Sequence, residues 1–311
     1  VDICFSSKGH DVPAFYSVLI GLGMLPFEKI ETLRRLGGLP GHPDVSVDHI
    51  VANSGSLGMG ISKAKGMIQA HRLNGQNRRV YVMTGDGELQ EGQIWESLRG
   101  AVNAHMGELT VIVDHNKIQS DHWVTATNDL GDLEARFNSC AWHVQRCDGH
   151  NLEAFGKCLQ ECKRREAPSI IIADTIKGSG VSFMEPHGLG CKERYRYHSG
   201  SPSIEEYNAA VAEIAETANR YFDASNTARL RLEGAPRVSR KAEGVYEQLI
   251  PAYEEALTAA GKKNQQLVVL DADLALDCGL DAFRQAFPAR YVECGIAEMD
   301  MVGQAGGLAL T

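Results

Sequence analysis

The pattern of apolar and polar positions organises the chain around residues 79 to 121. Val80 to Met83 is a short apolar run that ends in Gly85-Asp86-Gly87. Gln93 to Met106 follows with Ile94, Leu98, Ala101 and Val102 spaced by three or four, which predicts one buried face of a helix. Leu109 to Val113 predicts a second buried strand. A strand, a helix and a strand joined by short returns make a parallel pair. Asp86 and Asn116 then stand at the carboxyl ends of neighbouring strands, the edge where open α/β sheets bind ligands.

The same reading extends along the chain. Asp11 and Pro13 begin a helix whose face carries Ala14, Phe15, Val18, Leu19 and Leu22. NSGSLGMGISKAKGM, residues 53 to 67, is a glycine-rich loop running into a small-residue helix. Residues 141 to 151 read as strand and turn, Leu152 to Arg164 as an amphipathic helix, and Ser169 to Asp174 as a buried strand. Glu205 to Leu232 is largely helical and is broken by Gly234-Ala235-Pro236. A second α/β stretch follows, with strands at Leu267 to Leu270 and Arg290 to Cys294. A short helix is expected over Asp281 to Phe287, and a final one in GIAEMDMVGQAGGLAL. The expected fold class is α/β with a parallel sheet, in two successive α/β domains, the latter one truncated. The expected boundaries are 1–205, a linker at 206–236, and 237–311.

Composition changes this picture little. At 311 residues the chain is long enough for two cored domains, with the apolar and charged fractions of an ordinary globular protein. A net charge of −9 argues against a nucleic-acid partner, and no apolar run is long enough to span a bilayer. Eight cysteines show no CxxC pair, which suits reduced thiols and a cytoplasmic setting. Val1 stands directly before SSKGH and Thr311 falls within an apolar helix, so both ends read as cuts in a longer polypeptide.

The chemistry concentrates around Asp86. Its carboxylate, the Asn116 amide oxygen and the Ile118 carbonyl are hard donors of the kind a magnesium-sized cation takes, with phosphate completing the shell. Gly85 and Gly87 let backbone approach a phosphate closely. A lone GDG is usually only a turn. The longer string GDGELQEGQIWES, followed by DHNKI, is far more specific. It resembles the thiamine-diphosphate motif of the transketolase family. SSKGH, GHP at 41–43, SGSLG, TIKGSGVSFME at 175–185 and GIAEMDM at 295–301 resemble further elements of that family.

The resemblance implies a diphosphate-binding domain followed by the start of a pyrimidine-binding domain. Thiamine diphosphate is the expected cofactor, with Mg2+, or Ca2+ or Mn2+, held by Asp86, Asn116 and Ile118. Gly55, Ser56, Leu57, Gly85, Gly87, Glu91 and Asp273 are expected at the cofactor. His10, His42 and His198 are expected at a sugar substrate, and Arg240 at its phosphate. Glu298 is the expected catalytic carboxyl on the aminopyrimidine, in a packed, partly apolar place and networked with Glu91. The partner implied is a second copy, in a homodimer with Glu298 serving the other chain's diphosphate. The implied reaction is transfer of a two-carbon ketol unit from a ketose, as a rule phosphorylated, to an aldose.

Two departures bear on the substrate. Met299 replaces the family's usual Gln or His, and the path from TIKGSGVSFME to a histidine is lengthened by residues 186–197. His187 lies in that stretch, while YHSGSPSIEEY gives His198 the better register. Lys192, Arg194 and Arg196 form either a solvated loop or an attraction for an anionic substrate end. An unusual ketose donor, sulfonated or deoxy, is an alternative, as is a deoxyxylulose-phosphate-synthase-like enzyme. A non-enzymatic subunit is disfavoured by Asp86, Asn116 and Glu298 standing together.

Overall fold

The computed structural model describes residues 2–190, 192–232 and 249–310. The chain divides into two compact units, one of Val1–Ile176 with Gly295–Thr311 and one of Lys177–Cys294.

The first unit begins with β1 (Ile3–Ser6), α1 (Val12–Gly21) and α2 (Gly60–Leu73). It continues through β2 (Val80–Gly85), α3 (Gly92–Asn103), β3 (Leu109–His115), α4 (Val124–Thr127) and α5 (Leu133–Ser139). β4 (His143–Asp148), α6 (Leu152–Cys162) and β5 (Ser169–Asp174) complete the sheet. The five strands run parallel in the order β1-β2-β3-β5-β4. Central strands covered on both faces should be apolar throughout, and β3 and β5 are buried from Leu109 to Val113 and from Ser169 to Ala173. Ile94, Leu98 and Ala101 of α3 and Ile61, Ala64 and Ile68 of α2 are buried in the same core as Val80, Val82, Val111 and Ile170. That core fixes the strand ends on which the candidate site stands.

The second unit holds α7 (Ile204–Ala224), α8 (Leu249–Lys263) and β6 (Val269–Asp271), then α9 (Asp281–Ala286) and β7 (Tyr291–Glu293). Its two strands pair in parallel. A capping box opens α7: Ser203 accepts from the Glu206 N–H while the Glu206 carboxylate accepts from that of Ser203. α10 (Glu298–Ala309) belongs to the first unit.

These units cut the chain differently from the expected 1–205 and 237–311. Residues 177–205 group with the second unit, where the Arg194 guanidinium pairs with Asp281 on α9. Residues 295–311 group with the first, where the Ile296 N–H donates to Gln90. The expected break at Gly234 to Pro236 lies outside the described residues.

Candidate active site

β2 and β3 pair with Gly85 opposite Asp114, so the turns that leave them emerge side by side. Asp86 is buried, at 3 % exposure, directly after β2. One carboxylate oxygen accepts from the Gly87 N–H at 2.8 Å, and the other accepts from the Lys117 N–H. Lys117 adopts a left-handed φ of 72° between Asn116 and Ile118, and its ammonium lies 3.3 Å from Asp174. The Asn116 side-chain oxygen accepts from the Ile118 N–H at 3.0 Å. Thus the structure brings Asp86, Asn116 and Ile118 together in one pair of interlocked turns. Burial pushes the Asp86 carboxyl up to about 6 against those hydrogen bonds.

Glu88 is not among the residues the sequence singles out. It lies in the 3-10 turn Gly87–Gln90 and is 2 % exposed. Its carboxylate accepts from the Ser7 hydroxyl and from the N–H groups of Gly58 (2.8 Å) and Gly85 (3.2 Å). Burial raises this carboxyl, and those donors work against the rise. The signal available in the sequence is a carboxylate immediately after GDG, where a glycine-rich turn has no apolar need for one.

The SSKGH and GHP turns meet at Gly9. A Cβ there would lie 2.8 Å from the His42 ring and 2.2 Å from the Ser54 hydroxyl, so absence of a side chain admits both. Gly9 also has a φ of 75°, which a glycine adopts without strain. His10 and His42 are on these adjoining turns, and both are exposed. Gly55 and Ser56 are exposed and Leu57 is half-buried.

Gln90 links the GDG turn to the segment before α10. Its side-chain oxygen accepts from the Ile296 N–H at 2.7 Å, and its amide donates to the Gln119 side chain and the Asn128 carbonyl. Glu91, next in sequence, hydrogen-bonds Glu298 through their side chains. Burial, then that contact, pushes the Glu91 carboxyl up to about 8. The expectation for Glu298 needs correction here. It is exposed at the start of α10, not packed in an apolar place, because α10 buries none of its residues in the single chain. The enclosed carboxyl of the pair is Glu91.

In the second unit the Lys177 ammonium lies 3.0 Å from Nδ1 of His198 and over the Tyr195 ring. His187 instead pairs with Glu185 at 2.5 Å. Phe183, Glu185, His187, Tyr195, Arg196 and Tyr197 are among the residues lining a cleft of about 220 Å³. Arg194 is engaged by both Asp281 oxygens. Asp273 is buried with a φ of 63°, and its N–H donates to Glu293. Arg240 lies outside the described residues.

The donor set fits a metal-bound diphosphate. Among the described residues of the first unit, the buried charged side chains are Lys8 against Asp86, Glu88 and Glu91. Lys8 is already paired with Asp114 at 2.5 Å. A carboxylate raised by burial gains from a divalent cation, and a diphosphate at this edge needs one. Asp86, the Asn116 amide oxygen and the Ile118 carbonyl are the residues that would hold it.

Comparison with known proteins agrees with this geometry. Residues 2–194 match the transketolase, thiamine diphosphate binding domain, and residues 248–311 match the transketolase, pyrimidine binding domain. The chain belongs to the transketolase family. A 6-deoxy-6-sulfo-D-fructose transketolase subunit SqwG from Clostridium sp. (strain MSTE9) is 38% identical over 214 residues, which cover 67% of this chain and 74% of that protein. An apulose-4-phosphate transketolase subunit from Phocaeicola vulgatus is 32% identical over 212 residues, 68% of this chain and 73% of that one. Human transketolase is 28% identical over 309 residues, covering 97% of this chain. The chain spans about half, 49%, of that longer relative. The solved transketolase mutant R525L from Pichia stipitis superposes with a TM-score of 0.55 at 22% identity, over 99% of this chain and 55% of its own.

Proposed function

We propose that this transketolase-family chain carries the thiamine-diphosphate and metal site of an enzyme that moves a two-carbon ketol unit from a phosphorylated ketose to an aldose. The observation that carries the reading is Asp86. It is buried at a strand end and tied to the Asn116 turn, within the family's thiamine-diphosphate binding domain.

When bound, thiamine diphosphate supplies the carbanion chemistry that lets a ketol bond break and re-form. The chain's residues bind and orient. Asp86, Asn116 and Ile118 hold magnesium, and Gly85 and Gly87 give the diphosphate room. Glu91 and Glu298 hold a proton between two carboxyls at the cofactor, a use that suits a group raised to about 8. His10 and His42 face sugar hydroxyls from their adjoining turns, and His198 does so from its contact with Lys177. Gly55, Ser56, Leu57 and Asp273 line the cofactor, and Arg240 meets the donor's phosphate. The working assembly is a cytoplasmic homodimer, with Glu298 serving the partner's cofactor.

A second reading, a sulfonated ketose donor, is favoured by one observation. The relative at 38% identity is named for a sulfofructose. The cleft beside residues 186–197 is where the two readings diverge.

Isothermal titration of thiamine diphosphate with magnesium tests the site in wild type and Asp86→Ala. Magnesium-dependent binding is expected in wild type and its weakening, by about 10–100-fold or more, in the variant, since even removing the support of a metal ligand costs about 10–100-fold. Equal binding by both proteins would remove the basis of this proposal. Turnover of phosphorylated against sulfonated ketoses by the assembled enzyme separates the two donors.

A further inference from the structure

Three chain segments that are far apart in sequence converge on one carboxylate. Ser7 comes from SSKGH, Gly58 from SGSLG and Gly85 from the end of β2, and each donates a hydrogen bond to Glu88. One Glu88 oxygen serves Ser7 and Gly58, and the other serves Gly85. The Ser7 hydroxyl in turn accepts from the N–H of Gly60 at 3.0 Å, the first residue of α2. That amide is among those a helix leaves without an internal partner.

Each contact has the same polarity. Hydroxyl and amide hydrogens point at both oxygens of a group that, ionised, only accepts. No other side chain of this size has two acceptors and no donor. Packing leaves no slack for another solution. A Cβ on Gly60 would lie 2.4 Å from Ser7 and 2.9 Å from Val82, and one on Gly58 would lie 2.8 Å from Glu91. The glycines bring the backbones close enough for one carboxylate to reach them all.

We propose that Glu88 is a positioning residue: its carboxylate sets the spacing of the SSKGH, SGSLG and GDG turns, so the diphosphate-holding surface assembles as one cooperative piece. This rests on the cofactor reading above. Glu88 acts through the turns and does not itself touch the cofactor. Its loss frees all three segments together, whereas loss of an ordinary buried contact would loosen one.

The test uses Glu88→Gln, which keeps shape but replaces one acceptor by an N–H2 donor. Whichever way the amide turns, a donor faces a donor. Amide hydrogen exchange of the cofactor-free chain is read at Gly58, Gly60 and Gly85, with Val82 and Val111 as core references. Protection at Gly58 and Gly85 should fall together by about tenfold or more, the effect of an unmade buried hydrogen bond. Val82 and Val111 should hold theirs. Titration with thiamine diphosphate and magnesium should show affinity weakened by about tenfold or more. Ser7→Ala provides a milder check: Gly60 loses protection and affinity drops severalfold. Unchanged exchange at these glycines in either variant would overturn the proposal, and so would wild-type affinity in Glu88→Gln. If wild type binds no cofactor while the amides remain coupled, the function proposed above fails. Glu88 is then a clamp without a positioning role, which overturns this inference too.

Discussion

The ammonium of Lys177 lies 3.0 Å from Nδ1 of His198. An ammonium only donates, so Nδ1 presents its lone pair and the ring hydrogen sits on Nε2. On the function proposed above, His198 would offer a sugar oxygen an N–H held in one place. Replacing Lys177 with Met should release this preference and give a mixture of the two tautomers. The 15N shifts of the His198 ring report it directly. An unaltered pattern in the variant would mean that Lys177 does not set the tautomer.

Glu91 makes stability depend on pH with a definite sign. Its ordinary value of 4.5 is pushed up to about 8 in the folded chain, by burial and then by Glu298. Between those values the folded chain holds a proton that the unfolded chain has lost. Stability contributed by that proton is present at low pH and declines as pH rises through the window, levelling off above about 8. Glu91→Gln should remove this slope, leaving a Tm that changes less from pH 5 to 8.5 than wild type does. Parallel Tm curves for the two proteins would count against the shift.

Gly9→Ala should damage the meeting of the two histidine turns. The new methyl would lie 2.2 Å from the Ser54 hydroxyl and 2.8 Å from the His42 ring, on a residue with a φ of 75°. Strain of this kind costs about 1–3 kcal/mol. A lowered Tm and a displaced His42 resonance are the expected results, and a variant with both unchanged would refute the packing argument.

Arg194→Met bears on the anion-attracting reading of residues 186–197. Arg194 already faces both oxygens of Asp281, which Arg284 also approaches at 3.0 Å. Loss of this part-buried pair should cost about 1–2 kcal/mol. Affinity for an anionic ketose should stay within about twofold, less than any charge-assisted contact would contribute. A larger loss of affinity would reassign Arg194 to the substrate.

The strand-helix-strand frame around Asp86 is legible because buried parallel strands are apolar without interruption and α3 keeps its three-to-four spacing. The edge carrying Asp86 and Asn116 follows from those two facts alone. β1 escapes such a reading, since four residues with only Phe5 and Ser6 buried give little periodicity. Glu88 escapes it for a different reason. Its role depends on Ser7 and Gly58, which are distant in sequence and meet it only once the sheet has formed. For Glu298 the small residues after it suggest a packed setting, yet Ala305, Gly306 and Gly307 are exposed in the single chain. A small-residue stripe records that something approaches closely, without saying whether it belongs to the same chain.

The pairing of Gly85 with Asp114 gives the proposed cation another meaning, as a gauge of strand alignment. A slip of one residue between β2 and β3 would carry Asp86 about 3.3 Å along the sheet from the Asn116 turn. Magnesium holds its oxygens at about 2.1 Å and tolerates little distortion. An ion gripped by both turns therefore binds only the correctly aligned sheet and stabilises it against every shifted competitor. In this chain magnesium would act as an inspector of folding before it takes part in any chemistry.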